Sequence, residues 1–149
     1  MKAEDQLRAL SHLDELFGQH RIEYWLFGGW AVDFHAGKVT RLHDDLDLAV
    51  RSHDGERVRE LLAAGGWRHT PEEGYSVYER EDVRLEVAFV DHGEWPANSF
   101  EHDVAEVAGV RAHVVSLSSL KADKAMARDD ERVAAKDRAD SVTLGRLPG

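Results

Sequence analysis

Three carboxylates and a pair of glycines are the residues of this chain best suited, by type and spacing, to chemistry. Asp45 and Asp47 stand two apart at the head of Leu46–Val50, a short apolar run that reads as a β-strand. Side chains two apart on a strand project from the same face. Two carboxylates so placed repel unless a cation lies between them. Mg²⁺ suits such a pair, because it takes oxygen ligands and completes its shell with substrate phosphates. Glu86 sits on a later strand among Val83, Leu85, Val87 and Phe89, on the polar face that those residues leave. It is the obvious third acid, able to join a metal shell or to accept a proton. Upstream, Gly28 and Gly29 end the apolar run Tyr24–Phe27 and open a helical pattern from Trp30 to about His35. A turn of this kind lets a phosphate approach the backbone N–H groups at a helix start. A glycine pair alone, or Asp-x-Asp alone, is weak; both in this order, with a later acid on a strand, are far more specific.

Other side chains near these positions have two readings each. Arg41 is placed either to touch a triphosphate or to act as counter-charge to the neighbouring aspartates. His43 either orients a carboxylate or phosphate or lies on the surface, and Asp44 should face away from the acid pair, solvated or capping. Lys121, Lys124 and Arg128 share a helical face that could approach phosphates, with Lys124 the candidate nucleotide contact; pairing with nearby acids is the alternative. Lys136 and Asp137 are read as structural. Trp25 and Trp67 fit a core, whereas Trp95, in the loop 91–96 after the Glu86 strand, is placed to line an acceptor pocket. The nine histidines lack the i, i+4 pairing of a helical zinc site.

The elements that must position these groups follow from periodicity. Leu7, Leu10, Leu13, Leu16 and Phe17 recur at three- and four-residue spacing, so 4–19 reads as an amphipathic helix. Gly37 suits a left-handed cap after the second helix. Val58, Leu61 and Leu62 mark a third helix that closes at Gly65-Gly66, and 67–90 turns to β with a reversal near Gly74. Residues 103–107 and 110–115 read as a hairpin turning at Ala108-Gly109. Helices follow from Ser116, with Ser118 a further candidate cap. The predicted class is α/β (α+β), a mixed sheet flanked by helices, in one domain over 1–149 with a helical C-terminal part from about 116.

Composition narrows the function classes. At 149 residues the chain is long enough for one ordinary core. It has no cysteine, which removes disulfides, thiol nucleophiles and cysteine-ligated metals and fits a reducing cytoplasm. Nineteen Lys and Arg against 29 Asp and Glu give a net charge of −10, unsuited to gripping duplex nucleic acid and suited to attracting a cationic partner. The N-terminal stretch reads as neither a signal peptide nor a membrane span.

The run Gly28-Gly29-Trp30-Ala31-Val32-Asp33 … Gly37 … Thr40-Arg41-x-His43-x-Asp45-x-Asp47 resembles the aminoglycoside 2″-adenylyltransferase and lincosamide nucleotidyltransferase branch of the nucleotidyltransferase superfamily. The match is close over 24–50, weaker along 67–90, and general in the C-terminal helices. It implies a nucleotidyltransferase fold that moves a nucleoside monophosphate, AMP from ATP, to a hydroxyl of a small acceptor such as an aminoglycoside or lincosamide. Gly28, Gly29, Arg41 and Lys124 would then contact the nucleotide. Asp45, Asp47 and Glu86 would be catalytic and hold one or two Mg²⁺, and Glu86 departs from the Asp often found at the third position. The chain is shorter than many antibiotic adenylyltransferases, so a homodimer would complete the acceptor wall. Two other classes are compatible with fewer of these residues: a non-catalytic or protein-modifying domain of this fold, such as an antitoxin, and a glycosyltransferase using its Asp-x-Asp.

Overall fold

A computed structural model of the chain describes residues 2–124 and 131–147. Seven strands form one mixed sheet. The chain enters through α1 (Lys2–Gln19), β1 (Tyr24–Phe27), α2 (Gly28–Ala36) and β2 (Leu46–Val50). A short 3₁₀ turn at Ser52–Asp54 leads to α3 (Gly55–Ala64), then β3 (Arg68–Glu72), β4 (Tyr75–Arg80) and β5 (Val83–Phe89). The hairpin β6 (Asp103–Val107) and β7 (Val110–Val114) precedes α4 (Leu117–Lys124) and α5 (Glu131–Gly145). The strand order is β3-β4-β5-β2-β1-β7-β6. None of the described helices is long and apolar enough to cross a membrane.

The expected elements form for the expected reasons. Leu7, Leu10, Leu13 and Phe17 turn one face of α1 into the core. Central β1 and β2 are apolar on both faces because helices and loops cover both, the pattern of an interior strand. At the sheet's edge β3 is exposed throughout and carries Pro71, which an edge strand tolerates. Gly37 takes the left-handed conformation (φ 77°), and the N–H groups of Gly37 and Lys38 close onto the carbonyls of Phe34 and Asp33.

Three details differ from expectation. The helical pattern expected from Trp30 starts at Gly28, so the glycine pair is itself the first turn of α2. The β region holds a second reversal besides Gly74, at Glu81-Asp82, with Glu81 in left-handed backbone (φ 54°). The Ser116 hydroxyl accepts the Ser119 N–H and caps α4, while Ser118 lies within the helix.

Pairing, more than any single helix, assembles the site. Antiparallel β1 and β2 set Phe27 opposite Asp47, so the turn that leaves β1 arrives beside the acid that enters β2. Parallel β2 and β5 set Asp47 beside Glu86. Paired residues in adjacent strands point to the same face, and residues 39 apart in sequence therefore become neighbours.

Candidate active site

Gly28 has φ 72°, and a Cβ built on it would overlap the Asp47 carboxylate. A Cβ on Gly29 would overlap the Arg41 guanidinium and lie 2.7 Å from His43 Nδ1. Neither glycine can be replaced without displacing a charged side chain. The bare backbone is what lets the start of α2 sit directly against the acids and the arginine.

Asp45, Asp47 and Glu86 each offer a carboxylate oxygen, all within 4.8 Å of one another. Asp47 Oδ1 is buried and accepts no hydrogen bond. Burial, then the charge of Asp45 and contact with Glu86, pushes Asp47 well above the usual carboxylate range. Asp45 is raised by burial and by Glu86, with Asp47, Arg84 and Lys136 working against the rise. Glu86 Oε1 accepts from Arg84 Nη2 at 2.9 Å. An orphaned buried oxygen beside two more carboxylates is costly in the bare protein, and all three donors are hard oxygens. The arrangement fits a divalent cation.

Arg41 is held bidentately by Asp140 of α5, Nε to Oδ1 at 2.8 Å and Nη2 to Oδ2 at 3.0 Å. Its fork is thus anchored from the C-terminal helix rather than by the aspartates beside it in sequence, while its outer nitrogen lies against Gly29. His43 is buried at 4% exposure, not on the surface. Its Nε2 lies 2.6 Å from Asp33 Oδ2, its ring packs on Trp30, and its carbonyl accepts the Gln6 side-chain N–H. Asp33, fully buried, also accepts the Thr40 N–H and hydroxyl. Asp44 is bonded by Lys136, with Lys2 at 3.8 Å, and lines the same recess as Asp45 and Asp47. Lys124 ends α4 and its side chain lies outside the described residues, as does Arg128.

A polar recess of about 160 Å³ opens over this cluster, lined by Gly28, Gly29, Arg41, His43, Asp44, Asp45, Asp47, Lys136 and Asp137. On the other side of Gly28 lies a second recess of about 260 Å³, walled by Phe27, Glu94, Trp95, Pro96, Ser119 and Asp123 among others. Trp95 is fixed there by its indole N–H, shared between the carbonyls of His92 (2.9 Å) and Phe89 (3.1 Å), and by edge contacts to Phe27 and Phe100. Trp25 is buried and stacks edge-on with Phe100 beneath this loop.

The structure therefore brings together Gly28, Gly29, Arg41, Asp45, Asp47 and Glu86, with Trp95 alongside. Sequence reasoning missed Asp33, Arg84 and Asp140. Asp33 carried a signal: it is a charged residue inside the otherwise apolar run Trp30–Phe34, which demands a buried partner. Arg84 carried one too, two residues from Glu86 on the same strand face. Asp140 lies 99 residues from Arg41 in a charge-laced helix, and no local pattern distinguishes it.

Known proteins share both sequence and fold with this chain. A family model described as aminoglycoside-2''-adenylyltransferase matches residues 9–94, more than half of the chain. The 2''-aminoglycoside nucleotidyltransferases of Escherichia coli and Klebsiella pneumoniae are 47% identical over 45 residues, which are 30% of this chain and 24% of theirs. A lincosamide resistance protein of Staphylococcus haemolyticus is 33% identical over 61 residues, 41% of this chain and 38% of that protein. These matches span about a quarter to two fifths of the curated relatives. Among solved structures, ANT(2'')-Ia in complex with adenylyl-2''-tobramycin superposes with a TM-score of 0.77 at 23% identity, covering 95% of this chain and 90% of that one. The lincomycin-bound lincosamide adenylyltransferase LnuA gives 0.76 at 18%, covering 95% and 97%. The fold is that of these nucleotidyltransferases, and the chain belongs to the aminoglycoside-2''-adenylyltransferase family.

Proposed function

We propose that this chain transfers AMP from ATP to a hydroxyl of a small antibiotic, an aminoglycoside first and a lincosamide second, with Mg²⁺ as cofactor. The observation that carries the reading is the trio Asp45, Asp47 and Glu86 converging within 4.8 Å around an unsatisfied Asp47 Oδ1, pressed against a glycine turn that no larger residue could form. The three acids would hold a divalent cation, which would supply positive charge against the developing negative charge of the phosphates. Gly28 and Gly29 present backbone to the phosphates, and Arg41, its fork held by Asp140, adds positive charge beside them. Glu86 takes the proton of the acceptor hydroxyl as its oxygen bonds to the α-phosphorus and the bond to pyrophosphate breaks. The Trp95 recess offers an apolar wall with Glu94 and Asp123 at its edge, a composition suited to an amine-bearing ring. The net charge of −10 would draw a polycation inward.

A non-catalytic domain of this fold has no use for three mutually repelling acids around an unpaired oxygen, and this favours the enzyme. A second copy, docking on the terminal helices where Val142 is exposed, would enclose the acceptor; light scattering that shows a monomer during turnover removes that part. The test of the reaction is incubation with each NTP, Mg²⁺, and an aminoglycoside or lincosamide. Pyrophosphate and an acceptor adduct of matching mass are expected with ATP, and their absence with every acceptor and nucleotide would overturn the reading.

A further inference from the structure

A cavity at the opposite end of β1 from the acids is larger than either recess of the active site. It holds about 520 Å³, is lined by Asp14, Arg21, Glu23, Tyr24, His102, Arg111 and His113 among others, and has no part in the reaction above. Both of its acids are engaged. Asp14 Oδ1 accepts the Tyr24 hydroxyl at 2.6 Å, and Glu23 lies 3.5 Å from Arg51. The Tyr24 oxygen also accepts the backbone N–H of His113, so the buried inner wall is fixed. The cations are another matter. Among the described residues, the side chains of Arg21, Arg111 and His102 form no ion pair or hydrogen bond, although Glu106 stands opposite Arg111 across the β6–β7 pair. Arg111 and His113 stand two apart on β7 and so share a face. Arg21 holds left-handed backbone (φ 56°) in the turn after α1, a position glycine fills at lower cost.

We infer that this cavity is a binding site for a phosphorylated small molecule up to mononucleotide size, its phosphate held by the Arg21 and Arg111 guanidiniums with the two imidazoles at the rim. Unpaired guanidiniums offer the fork that matches a phosphate. The volume falls in the range of small-ligand sites. On a chain of net charge −10, binding of a free anion in this cavity requires these local cations.

The experiment titrates inorganic phosphate and AMP into the protein with EDTA present, which keeps divalent cations from the acid site. The ring signals of His102 and His113 are followed by NMR. Saturable shifts are expected in the wild type and in Asp47→Asn alike. Affinity should fall by about tenfold or more in Arg21→Ala and in Arg111→Ala, and by less in Arg111→Lys, which keeps charge but loses the fork. Non-saturating shifts, wild-type affinity in either alanine variant, or loss of binding in Asp47→Asn would each overturn the site. The last would place the ligand in the catalytic recess. Circular dichroism establishes that the exposed-arginine variants remain folded. A negative outcome leaves the proposed transfer reaction untouched, since the two sites share no residue.

Discussion

Replacing Asp47 by Asn should stabilise the cation-free protein and abolish its stabilisation by Mg²⁺. In the bare site Asp47 has an unsatisfied buried oxygen, and burial with the neighbouring acids raises its pKa. A carboxyl raised in the folded state favours folding below the ordinary carboxylate range, and that contribution is lost as pH rises through the raised range. Each unit of such a shift costs ~1.4 kcal/mol at neutral pH. An unsatisfied buried acceptor costs ~1–3 kcal/mol. Asparagine keeps the shape and removes the charge, so a gain of about 1–3 kcal/mol is expected at pH 7.5. That corresponds to about 3–10 °C in Tm for a chain of this size. Mg²⁺ at a hundred times its Kd should add about 2.7 kcal/mol to the wild type and little to the variant. The assay is thermal denaturation of both proteins in EDTA and in Mg²⁺, at pH 7.5 and again near pH 4.5, where the EDTA difference should shrink. A variant less stable than wild type in EDTA at pH 7.5, or stabilised equally by Mg²⁺, would refute the assignment of Asp47 as a repelled, cation-seeking acid.

Glu86→Gln should cut turnover by ~10²-fold or more with little change in Tm, since the Glu86 side chain is 27% exposed and makes one ion pair, to Arg84; steady-state kinetics beside calorimetry tests both halves. Gly28→Ala should cost at least ~1 kcal/mol for its positive φ and raise the KM for ATP, because the added methyl meets the Asp47 carboxylate. Asp140→Ala should destabilise by about 3 kcal/mol, because it strands the largely buried Arg41, and should weaken ATP binding more than acceptor binding in calorimetric titrations. Acceptor affinity for an aminoglycoside should fall as the Debye length drops from ~10 Å at 0.1 M salt to ~3 Å at 1 M; an affinity indifferent to salt counts against electrostatic recruitment.

Much of the sheet and the acid pair was legible in the sequence because both rest on local signals. The bounds of β1 and β2 follow from short apolar runs ended by glycines or charges, and the placing of Asp45 with Asp47 needs only the two-residue period of a strand. Glu86 was legible for the same reason, since the alternation Val83-Leu85-Val87 leaves it on the opposite face. That it lies beside Asp47 is a matter of strand register, which no single strand reveals. The partners of Arg41 and His43 were not legible. Asp140 reaches Arg41 only once α5 has docked, and Asp33 reaches His43 only because the turn after Gly37 folds the chain back on α2. The start of α2 at Gly28 is not legible from the sequence because glycine has poor helix propensity. The backbone accepts it there because nothing bulkier fits between α2 and the acids.

The most direct measurement is the mass of the acceptor after incubation with ATP, Mg²⁺ and an aminoglycoside, followed together with pyrophosphate release. The account predicts an acceptor heavier by one adenylyl group and pyrophosphate in equal amount for the wild type, with neither product from Asp47→Asn. Adduct formation that survives Asp47→Asn, or ATP consumed with no modified acceptor, would contradict it.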